Sequence, residues 1–480
     1  MKKFFLANLL LAFSLFILKA TPVNPNLTRL AAENFYNNTF HKSQSSAAQF
    51  YTFKTKTYNC TDSIDCIRIY NFDNGYVVIS TDSRIEPILG YSDNGPFDMQ
   101  NIPAGLGDML HSYCDEIAVI CQNSSLENEY LQNKWNKLIT NSYQPNYRST
   151  HSVSPLIGNN NWQQNNGYNY YCPSDNDGPA SHAYVGCVAL AMGQVIHYWQ
   201  YPEHGIGSHS YECNHSSSQA GNYPDYGTLT ADFEHTNYDY AMMPNYLTSS
   251  TPSNQILPIA KLLYHCGVSV EMFYGPQASM AFHNDIAKAL ETYFAYDTCK
   301  TLYKSNHESI WDSLLKQDLD SSRPIIYCAY ANEGGHEFVC DGYNDQDFFH
   351  FNWGWGGYQN GYFLVSNMNP GSYNFNSTHG IIANIHPKET QEDTSSSIRE
   401  NEWASVQIYP NPTGNTLTIK CEETPISSII IFNAEGKVLF SKQLSEISRY
   451  NINVSKLPRG NYFIKISSSK GTITKPFVKL

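Results

Sequence analysis

The sequence predicts an α+β protein built of about three folded units. Its 480 residues would form about three domains at roughly 150 residues each. Apolar residues with helical spacing and with strand spacing both occur up to residue 387, whereas residues 405–480 contain only short alternating runs, which are typical of a small β-sandwich. Charged residues make up only 15% and aromatic residues 14%, so a disordered or solvating protein is excluded.

The charge and the cysteine content exclude further classes of protein. The net charge of −13 gives no electrostatic attraction to nucleic acid, so no nucleic-acid partner is expected. The 12 cysteines are too sparse for a disulfide scaffold, and no repeated C-x-x-C spacing predicts a zinc site. In an oxidising compartment Cys60 could pair with Cys66, and Cys114 with Cys121. The sequence leaves open whether these thiols pair or stay reduced.

Residues 1–20 are typical of a secretory signal peptide. A basic start, Met1-Lys2-Lys3, precedes an apolar run from Phe4 to Leu18. A retained membrane anchor is the alternative, but it needs about 20 apolar residues. We therefore expect cleavage near Ala20 and no membrane span after the signal is removed.

Residues 21–147 predict a small α+β unit. Two strand-like runs, Ile67–Phe72 and Tyr76–Ser80, flank an Asp-Asn-Gly turn and predict a hairpin. Helical spacing follows over Gly105–Cys121 and Leu126–Ile139. The polar stretch 142–152 then predicts an exposed connector that a peptidase can cut.

Residues 148–387 contain the predicted nucleophile, Cys187. Apolar residues with helical spacing follow it directly, a glycine precedes it, and Pro202 ends the pattern, so Cys187 lies at a helix N-terminus. The free N–H groups and the helix dipole at that position favour a thiolate and lower the pKa of the thiol. A buried packing cysteine is the alternative that position alone does not exclude.

A second cluster favours the catalytic interpretation. Residues 334–342 and 348–353 predict two strands of a hairpin that brings His336 near Asn352 and Trp353. A base then acquires an orienting amide and an aromatic cover, as in cysteine hydrolases. Upstream, Gln164, or alternatively Gln163, offers an amide for an oxyanion hole.

Residues 153–387 resemble the streptopain-like (C10) cysteine peptidases of the papain-like superfamily. The resemblance rests on four stretches of the sequence: Trp162-Gln163-Gln164, Val185–Ala189, Gly334-Gly335-His336 and His350–Gly357. It implies a papain-like fold with Cys187 as nucleophile, His336 as general base and acid, Gln164 as oxyanion donor, and Asn352 or Trp353 as the group that orients and shields the histidine. Residues 26–121 resemble the propeptide of the same family through Tyr76–Arg84 and Pro87–Ser92.

The chain departs from the family pattern directly after the histidine. Members often have a small residue there, and this sequence has Glu337. Because side chains alternate along a strand, we expect that of Glu337 to point away from His336. No metalloprotease, serine-hydrolase or nucleotide-binding motif is present in the sequence, and neither a cofactor nor a metal is predicted.

The C-terminal unit resembles the sorting domain of proteins exported by the type IX (Por) secretion system of Bacteroidetes-type bacteria. The matching stretches are Tyr409–Pro412, Leu457–Ile464 and Lys475–Leu480, and a polar linker at residues 388–404 precedes the unit. A carbohydrate-binding or adhesive β-module is the alternative.

These inferences predict a secreted or cell-surface cysteine endopeptidase that is made as a zymogen. Its expected partners are protein or peptide substrates, its own propeptide as inhibitor, and the secretion machinery through residues 405–480. Two alternatives remain: a Cys-His amidase that acts on peptidoglycan, and an inactive surface adhesin with the same fold.

Overall fold

The computed structural model describes most of the chain in two compact units, residues 1–388 and 389–480. The described residues are 22–42, 45–56, 63–121, 128–143, 152–214, 223–331, 334–365, 378–388, 407–421, 425–433, 438–468 and 471–480. The predicted signal peptide, most of the connector 142–152 and almost all of the linker 388–404 lie outside the described residues.

The first unit combines seven α-helices with twelve strands in its described part. Its helices are α1 (Pro25–Thr39), α2 (Ala104–Cys121), α3 (Glu129–Ile139), α4 (Cys187–Trp199), α5 (Ser253–Ser269), α6 (His283–Tyr293) and α7 (Trp311–Asp320). Its strands are β1 (Gln49–Lys56), β2 (Ser63–Phe72), β3 (Gly75–Ser80), β4 (Ile88–Ser92), β5 (Ser208–Asn214), β6 (Asp225–Asp232), β7 (Lys300–Tyr303), β8 (Ile325–Ala331), β9 (Gly334–Tyr343), β10 (Phe348–Asn352), β11 (Gly361–Leu364) and β12 (Thr378–Ala383). Among the described residues, every helix is too short or too polar to cross a membrane.

One large sheet runs through both the N-terminal and the central part of this unit. Its strand order is β1-β2-β3-β4-β11-β10-β9-β8-β12-β7. The predicted hairpin is confirmed, because Phe72 pairs with Gly75 at the turn between β2 and β3. The two parts of the sheet join where β4 pairs with β11, with Tyr91 opposite Tyr362.

The two faces of the sheet carry separate hydrophobic cores. Along β9, Phe338 and Cys340 pack into the core that contains α1, α2 and α3, whereas Val339 packs into the core that contains α4, α5 and α6. This alternation follows from the pleat of a strand. It places α2 of the N-terminal part and α4, which begins with Cys187, on opposite sides of β9.

Side chains of asparagine cap the starts of α1 and α3. The side chain of Asn128 accepts hydrogen bonds from the N–H groups of Tyr130 and Leu131, so α3 begins at Glu129. The predicted helices at residues 105–121 and 126–139 are therefore present, the second with a later start. The helix predicted to follow Cys187 is also present, and it runs to Trp199.

The second unit consists of two small antiparallel sheets. Its strands are β13 (Gln407–Tyr409), β14 (Thr416–Lys420), β15 (Ile426–Asn433), β16 (Val438–Ile447), β17 (Arg449–Asn453), β18 (Gly460–Ser468) and β19 (Gly471–Lys479). The strand orders are β13-β14-β17 and β16-β15-β18-β19. Buried residues from both sheets, among them Leu417, Ile419, Ile429 and Ile464, form one core, as expected for a β-sandwich.

None of the cysteines in the described part of the chain forms a disulfide. Cys114 and Cys121 therefore do not pair with each other. The thiol of Cys66 lies 3.5 Å from the Ile64 carbonyl oxygen, and the thiol of Cys121 lies 3.4 Å from Asp82 Oδ2. The other suggested partner, Cys60, lies outside the described residues.

Candidate active site

Cys187 and His336 line the same cavity, which has a volume of about 240 Å³. Gln163 and Gln164 also line it, together with other residues at its rim, including Tyr184, Gln277, Ser279 and Trp355. The structure therefore brings together four of the sequence-predicted candidates for the nucleophile, the base and the oxyanion donor.

The turn that precedes α4 places Cys187 at the helix N-terminus. Gly186 adopts a φ of 87°, in the left-handed region that favours glycine. A side chain there would also meet Met272, since an added Cβ would lie 2.8 Å from its terminal atoms. The local backbone therefore needs glycine directly before the thiol.

The Cys187 thiol has a raised pKa in this structure. Burial raises the pKa of the thiol to about 11, and the backbone N–H groups of Glu337, Val188 and Cys187 itself only partly offset that effect. The expectation of a lowered pKa is thus wrong for this conformation, because desolvation of the charged sulfur outweighs the N–H groups at the helix start.

His336, on β9, is held by a residue from the N-terminal part of the chain. Its Nδ1 lies 2.8 Å from Oδ2 of Asp108, a residue of α2. The imidazole is 38% exposed and the carboxylate 15% exposed, so the pair is partly accessible to solvent. Asp108 was not predicted as a site residue, because nothing in its local sequence distinguishes it from a surface carboxylate.

Asn352 is fully buried, and its hydrogen bonds go to groups other than His336. Its Oδ1 accepts hydrogen bonds from Gln194 Nε2 at 3.2 Å and from the Gly354 N–H at 3.0 Å. Its Nδ2 donates to the Asn160 carbonyl at 2.7 Å. These bonds tie α4 to the loops on either side of the cavity, and the implied contact with His336 is not among them.

Trp353 lies in the hydrophobic core beneath β9. Its ring centroid is 4.7 Å from that of Phe338, and its Nε1 donates to the Gln359 carbonyl at 2.8 Å. The aromatic residue of this loop that lines the cavity is Trp355, which is 40% exposed. The glycine-rich sequence around Trp355 was visible, but the sequence alone did not show which tryptophan would face the cavity.

Gln164 and Gln163 both remain candidates for the oxyanion donor. The carbonyl of Gln164 accepts from the Val185 N–H at 3.1 Å, which fixes its loop beside the segment that leads into Cys187. Gln163 faces the glycine turn, since its Oε1 would lie 3.8 Å from a Cβ added at Gly356. Both side chains line the cavity, so the assignment to Gln164 stays a prediction.

Comparison with known families identifies the central domain. Residues 162–363 match the peptidase C10 family. This domain is a member of the peptidase C10 family. Residues 20–117 match the Spi protease inhibitor family, and residues 407–480 match the secretion system C-terminal sorting domain. The C10 domain thus lies between an inhibitor domain and a sorting domain.

Individual relatives of this C10 peptidase are thiol proteases. The chain is 29% identical to streptopain of Streptococcus pyogenes over 340 residues, which cover 66% of this chain and 80% of streptopain. It is 27% identical over 421 residues to the thiol protease/hemagglutinin PrtT of Porphyromonas gingivalis, covering 86% of this chain and 46% of that protein. The solved structure of a prointerpain A fragment from Prevotella intermedia is similar, with a TM-score of 0.56 and 26% identity, over 71% of this chain and all of the fragment.

These matches confirm the predicted α+β fold, with a papain-like peptidase domain, and the predicted activity. The protein is a cysteine peptidase that carries a propeptide-like inhibitor domain, and its sorting domain directs it by type IX secretion to the cell surface or beyond. The peptidoglycan amidase and the inactive adhesin are not favoured.

Proposed function

We propose that Cys187 and His336 form the catalytic pair of this peptidase. His336 takes the thiol proton, and the Cys187 sulfur attacks the scissile carbonyl to give an acyl-enzyme. His336 then gives the proton to the leaving amine and activates the water that releases the acid. Gln164 and the Cys187 N–H stabilise the oxyanion, while Asn352 and Trp353 keep the surrounding loop and β9 in place. The shared cavity of Cys187, His336 and Gln164 supports this assignment.

We propose that the structure represents the latent zymogen and that Asp108 keeps it latent. The observation that carries this proposal is the 2.8 Å contact between Asp108 Oδ2 and His336 Nδ1. A histidine held by a carboxylate of the inhibitor domain has one ring nitrogen occupied. The Cys187 thiol, with a pKa of about 11, is then neutral at physiological pH. Both partners of the reaction are therefore held in an unreactive state.

The contacts around Asp108 explain how α2 is positioned on the peptidase domain. Gly105 lies directly against the ring of Phe338, because an added Cβ would be 2.6 Å from that ring. Further along the helix, Tyr113 donates a hydrogen bond of 2.6 Å to the Leu364 carbonyl. These contacts fix α2 relative to β9 and β11 on both sides of Asp108, so its carboxylate reaches His336 in a defined orientation.

We propose that cleavage within residues 142–152 activates the enzyme and separates a propeptide of residues 21–147 from a catalytic domain of residues 148–387. The chain downstream of this connector is firmly attached to the catalytic part. Val153 and Tyr343 exchange two backbone hydrogen bonds of 2.9 Å, and the Ile157 N–H donates to Asp341 at 3.1 Å. A cut before Val153 would leave the new N-terminus anchored on β9.

Mass spectrometry of the purified full-length chain tests the catalytic assignment. Wild type should cut itself within 142–152 and then hydrolyse a protein substrate such as casein. Cys187→Ser and His336→Ala should do neither, whereas Cys299→Ala, at a buried cysteine outside the cavity, should behave as wild type. Casein hydrolysis by folded Cys187→Ser protein, freed of its propeptide by an added protease, would contradict the proposal.

A further inference from the structure

Glu337 has a buried partner on the side of β9 that faces away from the core of α2. Its Oε1 lies 3.0 Å from Nδ1 of His283, the first residue of α6. The side chains are only 5% and 1% exposed. The sequence departs from the family pattern at Glu337, and the catalytic assignment gives this carboxylate no role. Since buried ionisable groups are costly, their presence in the core calls for a physical reason.

A cysteine completes the cluster. Cys328 on β8 is the direct cross-strand neighbour of Glu337 on β9. Directly opposite residues of an antiparallel pair project on the same face. One ligand atom from each of His283, Cys328 and Glu337 lies within 4.8 Å of the other two, and all three residues are buried.

The packing around Cys328 leaves room for its sulfur. Gly380 on β12 is the cross-strand neighbour of Cys328 on its other side. A Cβ at Gly380 would lie 2.8 Å from Cys328 Sγ and 3.1 Å from the ring of Tyr303. A residue larger than glycine at position 380 would therefore clash with the Cys328 sulfur. Glycine at this position leaves the space that the thiol occupies.

Two polar atoms of the cluster have no hydrogen-bond partner. These are His283 Nε2 and Glu337 Oε2, each buried within the described part of the protein. A buried polar atom without a partner carries a desolvation cost, because it has lost its hydrogen bonds to water. A cation would use the lone pairs of the carboxylate and the imidazole, and would remove part of that cost.

We propose that His283, Cys328 and Glu337 bind a divalent metal ion of the zinc class. Imidazole nitrogen, thiolate sulfur and carboxylate oxygen are the donors that Zn²⁺ prefers. Ligand atoms around a tetrahedral zinc lie about 3.3–3.6 Å apart, given bonds of about 2.0–2.3 Å. The three candidate ligand atoms lie within 4.8 Å of one another, and His283 Nδ1 and Glu337 Oε1, at 3.0 Å, are already close to that spacing. The three ligands lie far apart in sequence, which explains why no motif revealed them.

The proposed site lies directly behind the catalytic strand. Glu337 is adjacent to His336 in the sequence. A metal held by Glu337 and Cys328 would join β9 to β8 and α6. Its main effect is therefore to stabilise the strand that carries the catalytic histidine, and it takes no part in peptide hydrolysis.

Metal titration of the full-length proenzyme tests the proposal. The Cys187→Ala background removes the active-site thiol as a competing ligand and prevents self-processing. After treatment with a chelator, the protein should bind one equivalent of Zn²⁺ with a rise in its melting temperature. With Co²⁺ it should show thiolate-to-cobalt absorption. Absence of saturable one-to-one binding in this folded protein would overturn the proposal.

Near-isosteric variants locate the bound ion. In the same background, Cys328→Ser and Glu337→Gln should abolish the stabilisation by Zn²⁺ and the cobalt absorption. Cys340→Ser is the matched control, because Cys340 is buried on the same strand as Glu337 but packs into the opposite core. Equal zinc binding by the control and by both folded ligand variants would place the ion elsewhere and reject the site.

Discussion

The Nδ1 atom of His336 lies 2.8 Å from Asp108 Oδ2, so the inhibitor domain contacts the proposed catalytic base directly. A charge-assisted hydrogen bond of this kind contributes about 1.5–3 kcal/mol. Exposure of the imidazole to solvent reduces that value by screening. The bond nonetheless engages the His336 imidazole, which must be free before it can act as the catalytic base.

Asp108→Asn should therefore weaken latency. Because the neutral amide weakens the bond to His336 by about 1–2 kcal/mol, we expect the full-length chain to process itself about 5- to 30-fold faster than wild type. The measurement is the time course of cleavage within 142–152, followed by gel and mass spectrometry. Asp115→Asn, at an exposed position of the same helix, should leave the time course unchanged. Equal rates for Asp108→Asn and wild type would contradict the role given to Asp108.

Substitution of two glycines in α2 should have different effects. Gly105→Ala places a methyl group 2.6 Å from the Phe338 ring, and such overpacking costs about 1–3 kcal/mol. Gly107→Ala meets nothing closer than 3.8 Å and gains up to about 1 kcal/mol of helix propensity. We expect faster self-processing and a lower melting temperature for Gly105→Ala, and neither change for Gly107→Ala. The same result for both variants would show that close packing at Gly105 is unimportant.

The reactivity of Cys187 should depend on pH differently before and after activation. Only the thiolate reacts with iodoacetamide, and the raised pKa of about 11 keeps the thiol protonated in the latent form. Alkylation of Cys187 in the proenzyme should thus continue to rise with pH up to about 11. Once the propeptide is removed, the freed His336 should move the midpoint to lower pH. Peptide-level mass spectrometry gives the rate at Cys187 alone, and a midpoint that does not move would argue against control of the thiol by His336.

The two glutamines of the cavity can be distinguished by kinetics. Loss of one oxyanion donor lowers kcat by about 10²–10³. We expect this loss for Gln164→Ala in the processed enzyme, with KM nearly unchanged, and at most a small effect for Gln163→Ala. The reverse pattern would assign the oxyanion hole to Gln163.

Asn352→Ala should destabilise the protein. The substitution leaves the Asn160 carbonyl without its buried donor and removes one of the two acceptors of Gln194 Nε2, which keeps its bond to Asn160 Oδ1; the expected cost is about 1–3 kcal/mol. Thermal unfolding of the full-length chain in the Cys187→Ala background measures the destabilisation without self-processing. Asn306→Ala, at an exposed position, is the control. An unchanged melting temperature for Asn352→Ala would mean that these bonds contribute little.

The sequence was sufficient to predict those features of the fold that depend on the pattern of neighbouring residues. Helical spacing after Cys187 and the turn between β2 and β3 were both predicted correctly, because each is set by neighbouring residues. Asp108 could not be found in this way, since its partner lies more than two hundred positions away in the sequence. The raised pKa of Cys187 could not be predicted from the sequence either. The helix start, whose N–H groups lower the pKa, is visible in the sequence, but the burial that outweighs their effect depends on distant segments of the chain.

The pairing of β4 with β11 gives maturation a consequence beyond activation. If the inhibitor domain leaves, Tyr362 and Phe363 no longer have the backbone partners Tyr91 and Gly90, and an internal strand becomes a sheet edge. An uncovered edge offers unpaired N–H and C=O groups to any extended chain. We therefore expect the active enzyme to bind extended peptides and to aggregate more readily than its precursor. The shortness of β11, four residues, limits how much foreign chain such an edge can hold.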